Sequence, residues 1–294
     1  VALQARHRCL DDFKAIRAGD EGLAHPGTRS RRGELRSHGR LNSRGKGEEC
    51  SGGCDLSAPR VDRILDAFAA LEADPAHAAY EGRVELAREA LRWAAETFGE
   101  QLTVASSMGD EVLVHLVGTT TPGADVFFLD TGYHFAETLG TRDAYQAMLP
   151  LKIRTILPLL TVAQQDAQYG AKLHDRSPDS CCAMRKVEPL NRALSSHQAW
   201  VTGMRRVDAP TRTDIGLVGW DEKRQMVKLN PIAAWTDDDV DRYVEEHQVF
   251  LNPLRQEGYA SIGCAPCTRP VAEGEDARAG RWAGKDKTEC GLHT

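Results

Sequence analysis

Leu102-Thr-Val-Ala-Ser-Ser-Met-Gly-Asp110 is the stretch that decides how this chain folds. Its first part, Leu102–Ala105, is a short run of mostly apolar and β-branched residues and predicts a buried strand. Ser106–Asp110 then predicts a turn, and the apolar stretch Val112–Val117 predicts a helix. Because strand, turn and helix in this order begin a βαβ unit, we expect the next strand to run parallel to the first.

The same alternation continues along the chain. Asp125-Val-Phe-Phe-Leu129 predicts a second strand, which ends in Asp130-Thr-Gly132. Thr236-Asp-Asp-Asp239 resembles a capping box and predicts a helix through about Glu246. The other predicted strands are Ile153–Leu157 and Ala199–Thr202, and the other predicted helices are Val61–Leu71, Val84–Phe98, Phe135–Met148, Thr161–Tyr169 and Arg185–Leu194. This pattern predicts an α/β fold with a doubly wound, mainly parallel sheet.

Residues 1–57 differ in composition from the rest of the chain. Between Thr28 and Gly47 there are seven Arg or Lys residues, one acidic residue and almost no large apolar side chain. Such a stretch cannot bury enough apolar surface to offset its ordering entropy, so we predict a disordered extension. The alternative is a basic arm that binds RNA or an acidic partner. Cys50 and Cys54 lie here in Gly-rich surroundings, and we assign them no role.

Composition narrows the class of protein. The net charge of −6 argues against general nucleic-acid binding. No apolar run approaches the roughly 20 residues that a membrane span needs, and no secretion leader is recognisable. We therefore expect a cytoplasmic protein with no nucleic-acid or membrane partner, in a reducing compartment where cysteines serve in metal binding or catalysis.

Five of the eight cysteines form one pattern. Cys181 and Cys182 are adjacent, and Cys264-Ala-Pro-Cys267 adds a CxxC pair. These four make a thiolate set that suits an iron–sulfur cluster or zinc. Cys290 stands alone near the end of the chain, as a cysteine nucleophile would.

The strand ends and the basic residues predict an anion site. Ligands of a doubly wound sheet bind beyond the carboxyl ends of its strands. Ser106 and Ser107 stand at such an end, where backbone N–H groups and hydroxyls can receive a phosphate, although a plain helix cap is the alternative. Cations that can match phosphate or sulfate oxygens lie beside the cysteine motifs and strand ends: Lys186, Arg212, Arg278 and Arg281.

Five stretches of residues 60–294 carry a resemblance to a known family: Phe128-Leu-Asp-Thr-Gly-Tyr-His134, Cys181-Cys-Ala-Met-Arg-Lys-Val-Glu-Pro-Leu190, Trp200-Val-Thr-Gly-Met-Arg-Arg206, Ser261-Ile-Gly-Cys-Ala-Pro-Cys-Thr268 and Lys287-Thr-Glu-Cys-Gly-Leu-His293. In these the chain resembles the assimilatory sulfonucleotide reductases, specifically their iron–sulfur adenylyl-sulfate reductases. The combination of CC, CxxC and ECGLH is highly specific, whereas the turn at Ser106 matches more loosely.

The resemblance implies a sheet like that of the adenine nucleotide α-hydrolases over residues 58–270 and a mobile catalytic tail over 271–294. It implies that Cys290 attacks the sulfur of adenylyl sulfate, that AMP leaves, and that thioredoxin then releases sulfite. The implied ligands of a [4Fe–4S] cluster are Cys181, Cys182, Cys264 and Cys267, and the implied substrate contacts are Ser106, Ser107, Leu129, Lys186, Arg212, Arg278 and Arg281. His293 could tune Cys290 or be a bystander.

Three other functions remain open from the sequence. A reductase of the 3'-phosphorylated nucleotide is the nearest alternative, although the resemblance implies that such enzymes usually lack the cluster cysteines. An adenylating ATP pyrophosphatase that thiolates tRNA would need a Ser-Gly-Gly-x-Asp-Ser loop, which Ser106–Asp110 does not provide. An iron–sulfur or zinc redox sensor with Cys290 as its switch is a non-enzymatic alternative.

Overall fold

The computed structural model describes residues 56–285, 287 and 289–293. Residues 56–294 form one compact unit. The predicted extension, with Cys50 and Cys54, therefore lies almost entirely outside the described residues.

Within the described unit, six strands form one sheet. They are β1 Leu102–Ser106, β2 Asp125–Leu129, β3 Lys152–Ile156, β4 Ala199–Val201, β5 Val218–Asp221 and β6 Met226–Leu229. The strand order is β3-β2-β1-β4-β6-β5, and every neighbouring pair is parallel except β5 with β6. The fold class predicted from the sequence, a mainly parallel α/β sheet, is confirmed.

Helices connect and cover the strands. They are α1 Ala58–Glu72, α2 Tyr80–Phe98, α3 Glu111–Thr120, α4 Ala136–Met148, α5 Val162–Tyr169, α6 Leu173–Arg176, α7 Pro178–Cys182, α8 Glu188–Leu194 and α9 Asp237–His247. Each helix predicted from the sequence has a counterpart here. The predicted capping box of α9 is present, with Thr236 and Asp239 each accepting a backbone N–H of the other residue. Among the described helices, none has the length and apolar character needed to cross a membrane.

Two regions differ from the sequence prediction. The β5–β6 hairpin was not predicted, because its strands have four residues each and are joined by the charged segment 222–225. The helix predicted over Arg185–Leu194 is interrupted: a π-helical turn, Ala183–Val187, separates α7 from α8. Such turns are frequent at functional sites, and this one directly follows the cysteine pair.

The core lies on both faces of the central strands. Phe127 and Phe128 are adjacent in β2 and both fully buried, one in a cluster with Trp200 and Leu190, the other in a cluster with Tyr145. Burial of such side chains stabilises a fold by about 2–3 kcal/mol each. Because β1, β2 and β4 are parallel and neighbours, their carboxyl ends meet at one edge, which is where ligands bind in this architecture.

Candidate active site

A cleft of about 620 Å³ lies at the carboxyl ends of the central strands. Its walls include every residue that the sequence predicted as a substrate contact, together with the predicted nucleophile: Ser106, Ser107, Leu129, Lys186, Arg212, Arg278, Arg281 and Cys290. Residues that are up to 184 positions apart, from Ser106 to Cys290, thus face one space.

The loop after β1 is ordered by its own side chains. The Ser106 hydroxyl accepts from the Met108 N–H at 3.1 Å and donates to Asp110 Oδ1 at 2.6 Å. Met108 has a positive φ of 58°, which is rare for a non-glycine residue, and its side chain is fully buried. Ser107 is exposed. The loop therefore uses the Ser106 hydroxyl internally, whereas Ser107 is exposed in the cleft wall, where its hydroxyl can face a ligand.

Asp110 is a buried carboxyl in the wall of this cleft. Burial raises its pKa from 3.8 to about 6, the Ser106 hydrogen bond opposes the shift, and Glu111 adds to it. A carboxyl in such surroundings is costly to ionise. In the sequence, Asp110 belongs to the predicted turn after β1 and has no predicted role.

The four predicted ligand cysteines line a second, smaller cavity beside the cleft. Cys181, Cys182, Cys264 and Cys267 all border it, and Lys186 borders both spaces. Burial, followed by the neighbouring thiols, raises the pKa of Cys181 to about 12. Within residues 56–285, 287 and 289–293, no three or more His, Cys, Asp or Glu side chains are arranged to hold a metal ion.

The CxxC segment is fastened to the end of β2 and to the tail. The Ala265 N–H donates to the Tyr133 carbonyl at 2.7 Å, and Thr131 Oγ1 lies 3.3 Å from Cys264 Sγ. The Trp282 N–H donates to the Cys267 carbonyl at 2.9 Å. The cavity that the thiols line is thereby held between three segments of the chain.

The π-helical turn places the side chain of Arg185 in the protein interior. Its guanidinium donates to the Thr131 carbonyl, to the Leu160 carbonyl at 3.2 Å and to Gln165 Oε1 at 3.0 Å. Asp130 Oδ1 accepts from the Gly132 N–H at 2.9 Å, so Asp130 closes the turn that follows β2. The loop after β2 is thus tied to the helix that carries the cysteine pair.

Cations with free donors face the cleft. The buried Nε of Arg281 and Nη1 of Arg205 have no hydrogen-bond acceptor among the described residues. Burial opposes the charge of Lys186, but the nearby thiols of Cys264 and Cys290 outweigh it and raise its pKa. These groups suit an anionic ligand. Arg206, in contrast, pairs with Glu72 at 2.7 Å and is structural.

Four residues of the C-terminal segment line the cleft: Glu289, Cys290, Leu292 and His293. Glu289 accepts hydrogen bonds from Arg212 and Arg278, and Leu292 packs against the core cluster that contains Trp200. Cys290, between these two contacts, is half-buried. The sequence predicts no role for Glu289, and the one signal it carries there is its position beside Cys290 in the Glu-Cys-Gly-Leu-His motif.

Comparisons with known proteins identify the family of this chain. Residues 101–270 match the phosphoadenosine phosphosulfate reductase domain. A Streptomyces coelicolor protein named adenosine 5'-phosphosulfate reductase is 61% identical over 207 residues, which cover 70% of this chain and 88% of that protein. A Mycolicibacterium smegmatis protein of the same name is 51% identical over 234 residues, which cover 78% and 99% of the two chains.

A solved structure shows a similar architecture. The phosphoadenylyl-sulfate reductase of Candida auris, in a phosphate complex, matches with a TM-score of 0.57 and 27% identity over 74% of this chain and 100% of that chain. The matching domain covers more than half of this chain and contains the cleft residues from β1 to the CxxC pair. The family that the sequence motifs predicted is thereby confirmed, and the chain belongs to the phosphoadenosine phosphosulfate reductase family.

Proposed function

We propose that this protein reduces adenylyl sulfate to sulfite and AMP in assimilatory sulfate reduction. The names of relatives at 50–61% identity support this substrate. The observation that carries the proposal is the shared cleft, in which one cysteine, Cys290, faces a set of cations at the carboxyl edge of the sheet. An electrophilic, anionic nucleotide is the kind of substrate that such a site fits.

The cleft offers complementary groups for the two ends of this substrate. Leu129, at the end of β2, provides an apolar wall for the adenosine, while Lys186 and Arg281 provide positive charge for the phosphosulfate. A thiolate and a dianion repel each other, so the cations must neutralise the substrate before attack. The unused Nε of Arg281 is one donor available for this purpose.

The reaction that we propose at Cys290 has two steps. In the first, the thiolate attacks the sulfur of adenylyl sulfate, a sulfur–sulfur bond forms, and the bond from sulfur to the phosphate oxygen breaks. AMP leaves with that electron pair, and cations at its phosphate stabilise the growing charge. Cys290 then carries an S-sulfonate.

In the second step a dithiol protein releases sulfite. One thiolate of the dithiol attacks the Cys290 sulfur, sulfite leaves, and the second thiol completes a disulfide in the donor. The dithiol supplies the two electrons of the reduction, and Cys290 returns as a thiol. We propose thioredoxin as this donor and the reducing cytoplasm as the location, since both fit a chain that depends on free thiols.

We further propose a [4Fe–4S] cluster held by Cys181, Cys182, Cys264 and Cys267. A four-iron cluster holds its thiolates farther apart than a single ion does, and the donor set here, four thiols around one cavity, fits such a cluster. When bound, the cluster would adjust the electrostatics of the site rather than carry electrons. Thr131, Lys186 and Trp282 line both the thiol cavity and the substrate cleft, and Lys186 is the charged residue of these three.

The proposed steps require different roles for two parts of the chain. Residues 58–270 hold the cluster and most of the nucleotide contacts, and residues 271–294 act as a tail that carries Cys290 together with Arg278 and Arg281. The tail must close for attack on the substrate and then present the S-sulfonate to the donor protein.

The decisive experiment compares the wild-type chain with Cys290→Ser, purified without oxygen. Wild type should release sulfite from adenylyl sulfate with thioredoxin, and the variant should release none while its iron content and visible spectrum stay unchanged. Parallel assays with the 3'-phosphorylated nucleotide identify the preferred substrate. Turnover by Cys290→Ser would refute the nucleophile assignment, and preference for the 3'-phosphorylated nucleotide would refute the substrate assignment.

A further inference from the structure

Glu289 makes a double contact with the cations of the cleft. Its Oε1 accepts from Nε and Nη2 of Arg212 at 3.0 and 2.8 Å, and its Oε2 accepts from the same Nη2 at 3.1 Å. Arg278 Nη2 lies 3.3 Å from Oε2. The Glu289 and Arg212 side chains are only 16% and 10% exposed. A forked, charge-assisted pair shielded from water is stronger than the usual surface ion pair.

Arg212 is fixed from the other side by the body of the protein. Its Nη1 donates to Asp208 Oδ2 at 3.3 Å, and Asp208 Oδ1 accepts from Arg205 Nη2 at 2.8 Å. Asp208 and Arg212 belong to two short 3₁₀ turns that follow β4. Each of the three guanidinium nitrogens of Arg212 thus has a carboxylate partner, so Arg212 is a rigid point to which Glu289 can attach.

The contact between Glu289 and Arg212 affects the position of Cys290. Glu289 precedes Cys290 directly, and consecutive Cα atoms are about 3.8 Å apart. Fixing the Glu289 carboxylate therefore restricts where the Cys290 sulfur can lie. Arg212 and Arg278 also line the cleft and are two of the predicted substrate contacts, so the tail and the substrate would use the same two groups.

We propose that Glu289 is the positioning residue of the nucleophile. Its carboxylate docks the tail on Arg212 and Arg278, sets Cys290 in the cleft, and occupies in the nucleotide-free protein the cations that an anionic substrate uses. This inference rests on the proposed function, because it assumes that Cys290 attacks a nucleotide bound by these arginines.

Loss of the Glu289 charge should lower kcat and raise the affinity for a phosphate-bearing nucleotide. The docked state of the tail is weakened, so Cys290 is less often in place and kcat falls. Two guanidinium groups lose an internal anion, so a phosphate-bearing nucleotide binds more tightly. A merely structural role for Glu289 would lower kcat and weaken nucleotide binding together.

The test compares full-length wild type with Glu289→Gln, Glu289→Asp and the matched control Glu273→Gln, which alters an exposed glutamate earlier in the tail. Three quantities are measured: amide hydrogen exchange of the peptide that contains Cys290, the affinity for AMP by calorimetry, and the kcat and KM of sulfite release. We expect Glu289→Gln to lower kcat roughly tenfold, to bind AMP several-fold more tightly, and to exchange its tail amides several-fold faster, as loss of a shielded ion pair predicts. Glu289→Asp, which keeps the charge, should lie between Glu289→Gln and wild type, and Glu273→Gln should match wild type.

Two results would overturn the inference. In the first, Glu289→Gln has the same tail exchange rate and the same AMP affinity as Glu273→Gln. In the second, Glu289→Gln binds AMP more weakly than wild type while its kcat falls. If wild type releases no sulfite from adenylyl sulfate, the proposed function fails. The exchange and AMP measurements need no turnover, so they still decide whether Glu289 docks the tail on the arginines.

Discussion

The imidazole of His293 stacks on the indole of Trp200, with ring centroids 5.7 Å apart and ring planes 17° apart. Trp200 is fully buried at the centre of the sheet, in β4, and Lys228 Nζ lies 5.0 Å from its ring centroid. The His293 stack and the Glu289 ion pairs lie on either side of Cys290 in sequence. Cys290, the proposed nucleophile, therefore lies between an aromatic contact and an ionic contact of the tail.

The His293 anchor should weaken in acid. Burial, followed by the charges of Lys228 and Arg212, holds the pKa of His293 well below its ordinary value of 6.5. The docked ring is neutral, whereas a released tail takes up a proton below pH 6.5, so the docking free energy is lost as the pH falls. The loss approaches about 1.4 kcal/mol for each pH unit below 6.5.

His293→Phe keeps an aromatic stack that does not titrate, and it therefore isolates this effect. The measurement is the amide hydrogen exchange rate of the tail peptide at pH 7.5 and pH 5.5. At each pH the rate in wild type is divided by the rate in His293→Phe, so that the intrinsic pH dependence of exchange cancels. The ratio should rise several-fold at the lower pH. A ratio that does not change with pH would show that His293 is not docked as a neutral ring.

Cys264→Ser and Cys267→Ser should each lose the proposed cluster and most of the activity. A hydroxyl is a poor substitute for a thiolate on iron, and the CxxC segment holds two of the four thiols of the cavity. Iron and sulfide analysis with the visible spectrum measures the loss. Cys54→Ser is the matched control, since Cys54 belongs to neither cysteine pair of the set and should leave iron content and activity unchanged. A colourless Cys264→Ser protein with full activity would contradict the assignment.

The central strands were predictable because they are buried on both faces. Asp125–Leu129 has the same bounds in sequence and structure, since a parallel strand covered on both sides is a nearly continuous apolar run. The β5–β6 hairpin lacked such a signal, because Asp221 and Lys228 interrupt its apolar residues and β5 forms the sheet edge. Pairing of β6 with β4 and of β5 with β6, not local sequence, makes these residues strands.

The parts of the candidate site that consist of contiguous sequence motifs could be predicted from the sequence. The CC and CxxC pairs are of this kind, and the structure brings them to one cavity. The tail contacts were not predictable, because the partner of Glu289 is 77 residues away and a lone glutamate is usually a solvated charge. The buried carboxyl of Asp110 depends on tertiary packing in the same way.

Deletion of residues 1–55 should leave activity and thermal stability near those of the full chain. The Mycolicibacterium smegmatis relative is matched over 99% of its length by 78% of this chain, so its reductase needs no counterpart of a long extension. The Ser57 carbonyl accepts from the N–H groups of Arg60 and Val61 at the start of α1, and this deletion keeps that turn.

A longer deletion, of residues 1–72, is the matched comparison. It removes α1, whose Phe68 is buried in the core, and Glu72, which accepts hydrogen bonds from Arg206 and the Leu217 N–H. Loss of a large core side chain alone costs about 3–5 kcal/mol, so this variant should be unstable or unfolded. Circular dichroism melting measures both variants. A large loss of activity in the shorter deletion would show that residues 1–55 have a functional role.

Asp110→Asn should change how stability depends on pH. The folded pKa of Asp110, about 6, lies above its ordinary value of 3.8 because the carboxyl is buried. For a group of this kind, the stability linked to its proton is fully present below pH 3.8 and is lost as the pH rises to about 6. Two pKa units correspond to roughly 3 kcal/mol. Asparagine stays neutral and keeps an oxygen to accept from Ser106, so it avoids this loss.

The measurement is the free energy of unfolding in urea for Asp110→Asn and for wild type. The stability advantage of Asp110→Asn over wild type should grow from pH 5 to pH 6.5 and stay constant above that. Asp214→Asn, at an exposed carboxyl, is the control and should show no such trend. A stability difference between Asp110→Asn and wild type that is the same at pH 5 and pH 6.5 would mean that Asp110 ionises as readily in the folded protein as in the unfolded chain.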